Sequence, residues 1–399
     1  MSLELSRVCT AISPSPTLAI DSKAKALRAE GRDVISFCAG EPDFMTPQHI
    51  RTAAHEALDM GLTKYTPSAG TLELRKAICH KLLIDNDLSY VPTQIIVSNG
   101  AKFSVFAALR AIINPGDEIL IPSPCWVSYP EIVRMVGGVP VFVNSTEEDG
   151  FLVTAEALAA CVTDKTKALI LNTPNNPCGS VMPRERLEQI ARLAVEKQFY
   201  VISDEIYEKL IYDGREHVSI ASLGEDIKAQ TILVNGVSKS YAMTGWRIGY
   251  IAAPRALVKA MTSFQSHATS NPNSIAQYAA AEAMINGSAY IKSMVGEFDA
   301  RRRLMHRLIN DIDGLSCNLP EGAFYVMMNI SSLIGKSYKG QKIDGSLSFA
   351  DILLTAKNVA VVPAKAFGTD MHVRLSYATA QDRIEQGLAR IAEFVAECE

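Results

Sequence analysis

The chain has 399 residues, which is long enough for two domains or for one large domain with a smaller lobe. Hydrophobic residues make up 48% and charged residues 21%, the composition of a globular protein with a sizeable core. The net charge of −4 does not favour nucleic acid or anionic membranes as partners, and no apolar run approaches the ~20 residues that span a bilayer. Eight scattered cysteines and an N-terminus without a secretory signal predict a cytoplasmic protein with free thiols, and the histidine spacing predicts no metal site.

The first segment in chain order, residues 1–45, is predicted to be an arm and linker that also contributes to a small domain. The following segment, 46–295, contains seven short apolar runs that alternate with amphipathic stretches, and this pattern predicts a mostly parallel sheet covered on both faces. The seven runs are 95–98, 118–122, 139–144, 168–172, 200–204, 231–236 and 248–253. We therefore expect one large three-layer α/β/α domain.

The pattern changes from about residue 274, where long helical stretches replace the alternation. These stretches lead into short apolar runs at 323–330, 359–364 and 372–378, and then into a terminal helix at 381–397. Two or three strands with helices predict a smaller α+β domain over residues 296–399. A polar loop is predicted at 334–348.

Charged residues follow two of the apolar runs, at the strand ends where open α/β sheets bind ligands. Asp204 is either an N-cap or ion-pair partner, or a desolvated carboxylate that awaits a cation from a ligand. Lys239 is either a surface lysine or a desolvated amine that can form a Schiff base. Arg247, eight residues later, is either a solvated charge or the partner of an anion such as phosphate.

The small-residue turn 98-SNGAK-102 opens a helix and adds a second candidate anion site, because backbone N–H groups are free at a helix start. No GxxxxGK[ST] or GxGxxG motif is present, which argues against nucleotide and dinucleotide ligands. Pyridoxal phosphate (PLP) would satisfy all the candidates: an aldehyde for Lys239, a pyridinium for Asp204, and a phosphate for Arg247 and the turn.

Eight motifs over nearly the whole chain resemble those of the aspartate aminotransferase family, class I/II, and in particular its bacterial and plant aspartate/prephenate subgroup. They are 40-GEPDF-44, 64-KYTPSAGTLELR-75, 98-SNGAK-102, 122-PSPCWVSYPE-131, 172-NTPNNPCG-179, 203-SDEIYEKLIYDG-214, 236-GVSKSYAMTGWRIGY-250 and 373-VRLSYA-378. The resemblance implies PLP as cofactor and the PLP-dependent transferase fold type I.

The resemblance also implies a role for each matching residue around the cofactor ring. Lys239 would bond the cofactor and then move the substrate proton, while Asp204 would pair with the pyridine nitrogen. Tyr207 and Asn176 would hydrogen-bond the phenolic oxygen of the ring. Trp126 would stack on the ring face, although a core position is the alternative for such a residue.

For the phosphate, the resemblance implies six contacts. They are Ser238, Arg247, the backbone of Gly100, Ala101 and Lys102, and Tyr65. Because Tyr65 would reach the phosphate from the neighbouring subunit, the resemblance implies a homodimer with shared sites.

Substrate binding is implied at a further set of positions. Arg374 would clamp the α-carboxylate, with Gly40, Asn176 and Trp126 beside it. Lys102 and Thr17 would hold the second carboxylate of a dicarboxylic substrate, and this pair also resembles what permits prephenate. Cys125 and Cys178 stand where the family commonly has Tyr and Thr, and they leave fine specificity open.

The predicted reaction is ping-pong transfer of an amino group between aspartate or glutamate and a 2-oxo acid, such as oxaloacetate, 2-oxoglutarate or prephenate. One alternative is an aminotransferase for aromatic or neutral amino acids, and another is a PLP lyase or synthase on the same fold. A third is a PLP-binding regulator, but the GEPDF motif at residue 40 leaves no room for a preceding DNA-binding domain.

Overall fold

The computed structural model describes residues 3–13 and 16–399, with the side chains of residues 16–18 outside that description. The helices are α1 (Arg7–Ala11), α2 (Pro16–Ala29), α3 (Gln48–Asp59), α4 (Leu72–Asn86), α5 (Ala101–Ile112), α6 (Ser128–Met135), α7 (Ala155–Ala159), α8 (Arg184–Lys197), α9 (Glu225–Gln230), α10 (Arg255–Ala268), α11 (Ser274–Asn286), α12 (Ser288–Asn310), α13 (Ser346–Lys357) and α14 (Gln381–Ala396). The strands are β1 (Ile35–Ser36), β2 (Ile95–Ser98), β3 (Glu118–Ser123), β4 (Val139–Asn144), β5 (Thr166–Asn172), β6 (Tyr200–Asp204), β7 (Thr231–Gly236), β8 (Gly249–Ala252), β9 (Tyr325–Asn329), β10 (Ser337–Tyr338), β11 (Gln341–Lys342), β12 (Val359–Ala360), β13 (Val362–Pro363) and β14 (His372–Ser376).

A seven-stranded sheet forms the centre of the large lobe, in the order β2-β8-β7-β6-β5-β3-β4. Its strands run parallel except β8, which is antiparallel to both β7 and β2. Strands β2, β7 and β8 are buried at every residue, as continuous apolar strands covered on both faces require. The predicted α/β class and the mostly parallel seven-stranded sheet are confirmed.

The smaller lobe contains the antiparallel sheet β13-β14-β9, packed with α12, α13 and α14. Its core is rich in phenylalanine: Phe298, Phe324, Phe349 and Phe394 are fully buried. The predicted strand at 359–364 is divided, because β12 pairs with β1 whereas β13 pairs with β14. Two-residue strands are too short to show a period of their own in the sequence.

Two sequence-based predictions need correction in this lobe. The stretch 34–38 is not a linker: β1 pairs in parallel with β12, and Ile35 and Phe37 are buried in the small-lobe core. The stretch 334–348 is not simply a polar loop, since β10 and β11 form a hairpin there and Ile343 is fully buried. Across residues 3–13 and 16–399, no helix has both the length and the apolar composition that a membrane span requires.

Candidate active site

A cavity of about 600 Å³ lies at the carboxyl ends of β5, β6 and β7, where the fold class predicts a ligand. It brings together eleven of the predicted site residues from distant parts of the chain. They are Gly40, Ala101, Lys102, Trp126, Asn176, Asp204, Tyr207, Ser238, Lys239, Arg247 and Arg374. Residues separated by more than 300 positions therefore share one site.

Lys239 is a half-buried amine on the loop after β7. Its Nζ donates to the backbone carbonyl of Gly40 and lies 5.9 Å and 5.7 Å from the ring centres of Tyr207 and Phe324. Burial lowers the pKa of Lys239 to about 8, although the charge of Glu41 opposes the shift. This amine therefore loses its proton closer to neutral pH than an ordinary lysine does, and the unprotonated form is the one that attacks an aldehyde.

Asp204 ends β6 with a buried carboxylate. Its Oδ2 accepts a 2.7 Å hydrogen bond from the hydroxyl of Tyr129, and its Oδ1 accepts one of 3.2 Å from the backbone N–H of Ile206. Burial raises the pKa of Asp204 to about 6, while these two bonds oppose the rise. A carboxylate in this state gains from a ligand that brings a cation.

Arg374 projects from β14 in the small lobe and is buried between the rings of Tyr325 and Phe367, 4.4 Å and 5.1 Å from its guanidinium carbon. Its Nη1 donates to Asn176 Oδ1 at 3.0 Å and its Nη2 to the carbonyl of Cys38 at 3.2 Å. The Nε atom of Arg374 is buried without a hydrogen-bond partner among the residues described. An anion entering the cavity would satisfy this donor.

Tyr207 and Asn176 lie between these charged groups. The Tyr207 hydroxyl is 3.0 Å from that of Tyr325, and both side chains are buried. Asn172, at the end of β5, accepts from the backbone N–H of Asn176 at 2.9 Å and donates to the carbonyl of Asp204 at 2.9 Å. Asn172 therefore fixes the loop of Asn176 against the end of β6.

The opposite side of the cavity consists of backbone amides and cations at the start of α5. Gly100 precedes this helix with φ of +85°, and a Cβ atom there would clash with the guanidinium of Arg247. Gly249 of β8 packs against the backbone of Gly100 and Ala101, where a side chain would not fit. The first N–H groups of a helix lack acceptors within it, so this corner can bind a phosphate.

Arg247 and Ser238 complete this corner. Arg247 donates to the carbonyls of Thr244 at 2.9 Å and Asn99 at 3.4 Å, which orients it beside α5. Its side chain is exposed in the cavity, and not enclosed as its apolar neighbours in the sequence suggest. Ser238 is buried. The cation is thus open to an incoming anion.

Trp126 and Lys102 lie next to each other above the cavity floor. The Lys102 ammonium is 4.9 Å from the centre of the Trp126 ring, whose edge meets Tyr129 at a centroid distance of 5.2 Å. Burial, assisted by the charge of Arg247, lowers the pKa of Lys102. Trp126 is only partly buried and lines the cavity, where its indole ring could stack on a planar ligand.

Two predicted residues are not part of this cavity wall. Gly100 stands just behind it, at the helix start. Tyr65 is 91% exposed and belongs to a separate groove formed by α3 and α11. The Thr17 side chain lies outside the described residues. Cys125 and Cys178 are buried and do not line the cavity.

Two contributors escaped the sequence-based assignment. Tyr129, which bonds Asp204, lies three residues after Trp126, one helical turn away within a motif already singled out. Tyr325, which packs on Arg374, belongs to the apolar run of β9. Only its hydroxyl distinguishes it in the sequence from a core residue. A charged group at the entrance, consisting of Asp21, Lys25 and Glu41, was also not predicted.

The residues of the cavity fit pyridoxal phosphate. An amine of lowered pKa, a buried carboxylate of raised pKa and a helix start with an adjacent arginine match the aldehyde, the ring nitrogen and the phosphate. Glycines at positions 100 and 249 allow Arg247 and β8 to pack closely against the start of α5, where a side chain would clash.

Comparisons with known proteins agree with this geometry. The sequence profile described as "Aminotransferase class I and II" matches residues 32–391. An aspartate aminotransferase of Bacillus sp. (strain YM-2) is 48% identical over 96% of this chain and 97% of its own length. An aspartate/prephenate aminotransferase of Cereibacter sphaeroides is 45% identical over 98% of each chain.

Solved structures give the same result. The aspartate aminotransferase from Rhizobium meliloti superposes with a TM-score of 0.97 at 40% identity, and each chain is covered completely. Members of this family depend on pyridoxal phosphate. Since both the profile and the relatives span almost the whole sequence, the chain belongs to the class I and II aminotransferases and is itself an aminotransferase.

Proposed function

We propose that this aminotransferase uses pyridoxal phosphate to move the amino group between aspartate or glutamate and a 2-oxo acid, by a ping-pong mechanism. The observation that carries the proposal is the meeting of Lys239, Asp204 and Arg374 in one cavity. Relatives named as aspartate or aspartate/prephenate aminotransferases support the choice of substrates.

The cofactor would be held at both ends. Lys239 would bond its aldehyde and Asp204 would pair with its ring nitrogen, with Trp126 stacked on the ring. Tyr207 and Asn176 would hydrogen-bond its phenolic oxygen. Ser238, Arg247 and the start of α5, at Gly100, Ala101 and Lys102, would hold its phosphate. When bound, the cofactor supplies an electron sink for the charge left when the substrate Cα loses its proton.

The chain's own residues would position the substrate and move this proton. Arg374 would bind the α-carboxylate through its fork of donors, beside Asn176, Trp126 and the backbone of Gly40. The amine of Lys239 has the lowered pKa that suits a base near neutral pH, so it would take the Cα proton and return it. Movement of the small lobe and N-terminal arm would exclude water from this step.

For a dicarboxylic substrate, a second cation must meet the side-chain carboxylate. Lys102 fits this role because its ammonium lies at the cavity wall beside Trp126. Thr17 is the proposed partner of Lys102. The same pair would serve prephenate, which also carries a second carboxylate.

Replacement of Lys239 by alanine tests the function directly. We expect the Lys239→Ala protein to lose the visible absorbance of covalently bound cofactor and to lose at least about 10⁴-fold in turnover, as removal of a covalent catalyst and base should. Survival of both signals in a correctly folded variant would show that the proposed chemistry is wrong.

The oxo-acid preference would be measured in the same assay with glutamate as donor and oxaloacetate, prephenate or phenylpyruvate as acceptor. We expect kcat/KM to be highest for a dicarboxylic acceptor. A preference for phenylpyruvate would favour an aromatic aminotransferase, and ammonia or a cleaved product without an acceptor would favour a lyase.

We further propose a homodimer in which Tyr65 reaches the phosphate of the partner subunit, and a cytoplasmic location. Exposure of Tyr65 in a groove separate from its own cavity supports the first proposal. The eight cysteines, all free, support a reducing compartment. We propose domain limits at residues 45 and 295, with an arm, a large cofactor domain and a small domain.

A further inference from the structure

Glu205 directly follows Asp204 but points away from the cavity. Successive side chains along an extended strand point to opposite faces, so Asp204 lines the cavity while Glu205 enters the protein interior. Glu205 is fully buried, and its backbone N–H donates to the carbonyl of Val234 at 2.9 Å. The carboxylate of Glu205 therefore lies next to that of Asp204, on the opposite face of the chain at the end of β6.

Three donors converge on the two oxygens of this carboxylate. Ser203 and Ser219 donate to Oε1 from their hydroxyls at 2.8 Å and 2.7 Å, and His217 Nε2 lies 2.8 Å from Oε2. A carboxylate accepts all of these bonds, which fixes the His217 ring as a donor through Nε2. The surroundings are therefore arranged for a charged, acceptor-only Glu205.

The ammonium of Lys81, which lies beside Glu208, is engaged elsewhere. Lys81 forms an ion pair with the buried Glu208 and donates to Asn86 Oδ1 at 2.7 Å. Ligand atoms of Glu205, Glu208 and His217 lie within 4.8 Å of one another. Lys81 already balances the charge of Glu208, and three donors already bind the oxygens of Glu205. This cluster therefore does not require a metal ion.

The charge of Glu205 acts on the cavity through Asp204. Burial raises the pKa of Asp204 to about 6, and the neighbouring charge of Glu205 adds to the rise. Tyr129, the N–H of Ile206 and the Lys239 ammonium oppose it.

Two phenols also interact with the charge of Glu205: Tyr90 before β2 and Tyr250 on β8. Burial raises the pKa of each phenol, and the charge of Glu205 contributes. Both phenols therefore stay neutral at physiological pH and do not cancel the charge of Glu205.

We propose that Glu205 is a positioning residue whose buried negative charge acts through Asp204 to keep a proton on the ring nitrogen of the bound cofactor. This inference rests on the proposed pairing of Asp204 with that nitrogen. A second negative charge behind the carboxylate raises the proton affinity of the carboxylate–pyridine pair as a whole. The protonated ring is the better electron sink, so the effect favours transamination.

The test uses the full-length holoenzyme loaded with pyridoxal phosphate that carries ¹⁵N in the ring. The nitrogen chemical shift reports ring protonation independently of turnover. In the Glu205→Gln protein we expect the ring nitrogen to lose its proton at a pH lower by roughly one unit than in the wild type, a typical shift for the loss of a nearby charge.

A matched control is the double variant Lys81→Met with Glu208→Gln, which removes a buried carboxylate three residues away together with its paired ammonium and so leaves the net charge unchanged. This variant should titrate as the wild type does, and Glu205→Asp, which retains the charge, should stay close to it. Glu205→Ser leaves space for water at the three donors and should reproduce the downward shift if the glutamine variant does not fold.

An unchanged titration in a folded Glu205→Gln or Glu205→Ser protein would overturn the inference, as would an equal shift in the double variant of Lys81 and Glu208. Asp204→Asn separates this failure from failure of the proposed function. If Asp204→Asn removes the ring proton while the Glu205 variants do not, only the role of Glu205 is refuted. If Asp204→Asn leaves the ring proton in place, the proposed pairing itself is wrong.

Discussion

At the scale of single residues, the cavity is built from groups held in energetically unfavourable states. In the part of the chain that the structure describes, Asp204 is a buried carboxylate without a cationic hydrogen-bond partner, and burial lowers the pKa of the Lys239 amine. Arg374 keeps one N–H unbonded among the described residues. Each cost is relieved by a ligand, because the ligand supplies the missing charge or acceptor.

The first of these costs predicts a pH-dependent stability of the cofactor-free protein. The pKa of Asp204 is raised from 3.8 to about 6, so the folded state binds this proton more tightly than the unfolded state. Its contribution is complete below about pH 4 and is lost as the pH rises through about 6. Asp204→Asn should therefore gain stability relative to wild type over this window, by up to about 3 kcal/mol.

Urea unfolding of both cofactor-free proteins between pH 4 and 8 measures this gain. The exposed substitution Asp164→Asn corrects for the change in net charge. A stability difference that stays constant with pH would contradict the raised pKa of Asp204.

The central charged residues of the site could be predicted from sequence, whereas two of its tyrosines could not. Asp204 and Lys239 follow apolar strands, and a charge in that place is conspicuous because burying it is costly. Tyr129 and Tyr325 lie in amphipathic or apolar patterns, where an aromatic ring is expected as core and its hydroxyl passes unnoticed. Glu205 and His217 are twelve residues apart, and no local sequence pattern indicates that the chain folds back to bring them together.

At the scale of elements, the start of α5 is the most constrained part of the site. Gly100 has a positive φ, and its missing side chain makes room for the Arg247 guanidinium. Because the first turn of α5 also carries free N–H groups, helix and arginine would act on the same phosphate.

Gly100→Ala should therefore weaken cofactor binding by more than backbone strain explains. The matched control is Gly116→Ala, where φ is +92° and no atom lies within 4 Å of the added Cβ. Both variants should lose about 1 kcal/mol of stability from the left-handed backbone. Only Gly100→Ala should raise the dissociation constant for pyridoxal phosphate, by about tenfold or more, since it also displaces Arg247, the proposed phosphate ligand.

Reconstitution of the cofactor-free proteins, followed by absorbance, measures these constants. Equal losses of cofactor affinity in the two glycine variants would mean that strain alone is responsible.

Strand positions were predictable because seven continuous apolar runs are separated by helical patterns. The direction of β8 was not, because an apolar run reads the same for parallel and antiparallel pairing. The very short strands β1, β12 and β13 depend on tertiary partners and carry no periodic signal.

At the scale of the whole molecule, both polar and apolar contacts join the lobes. Glu147, after β4, accepts from Asn329 at 2.6 Å and pairs with His372 at 3.0 Å. Ile206 and Leu210 of the large lobe are buried in the same apolar cluster as the small-lobe core.

A shared site in a homodimer can be tested by mixing two inactive chains. Chains with Tyr65→Ala and chains with Lys239→Ala are co-expressed with different tags, and the mixed dimers are isolated. If Tyr65 serves the partner's site, each mixed dimer contains one complete site and one that lacks both groups. We expect the mixed dimer to show about half of the wild-type activity per dimer, and tight cofactor binding at one site.

Parent homodimers of each variant provide the controls. Lys239→Ala homodimers should be inactive, and Tyr65→Ala homodimers should bind the cofactor weakly. A mixed dimer no better than the Tyr65→Ala parent would place Tyr65 in its own chain's site.

The reversed strand β8 also links the cofactor to the completion of the fold. Gly249 opens β8 opposite both Gly236 of β7 and Ser98 of β2, so Arg247 stands at the same sheet edge as Lys239 and α5. The proposed phosphate site therefore depends on two segments: the β7–β8 connection supplies Arg247, and the outermost strand, β2, leads into the start of α5. A chain in which β2 has not joined the sheet would lack this site. Pyridoxal phosphate would therefore bind the fully assembled sheet and protect β2 from local unfolding.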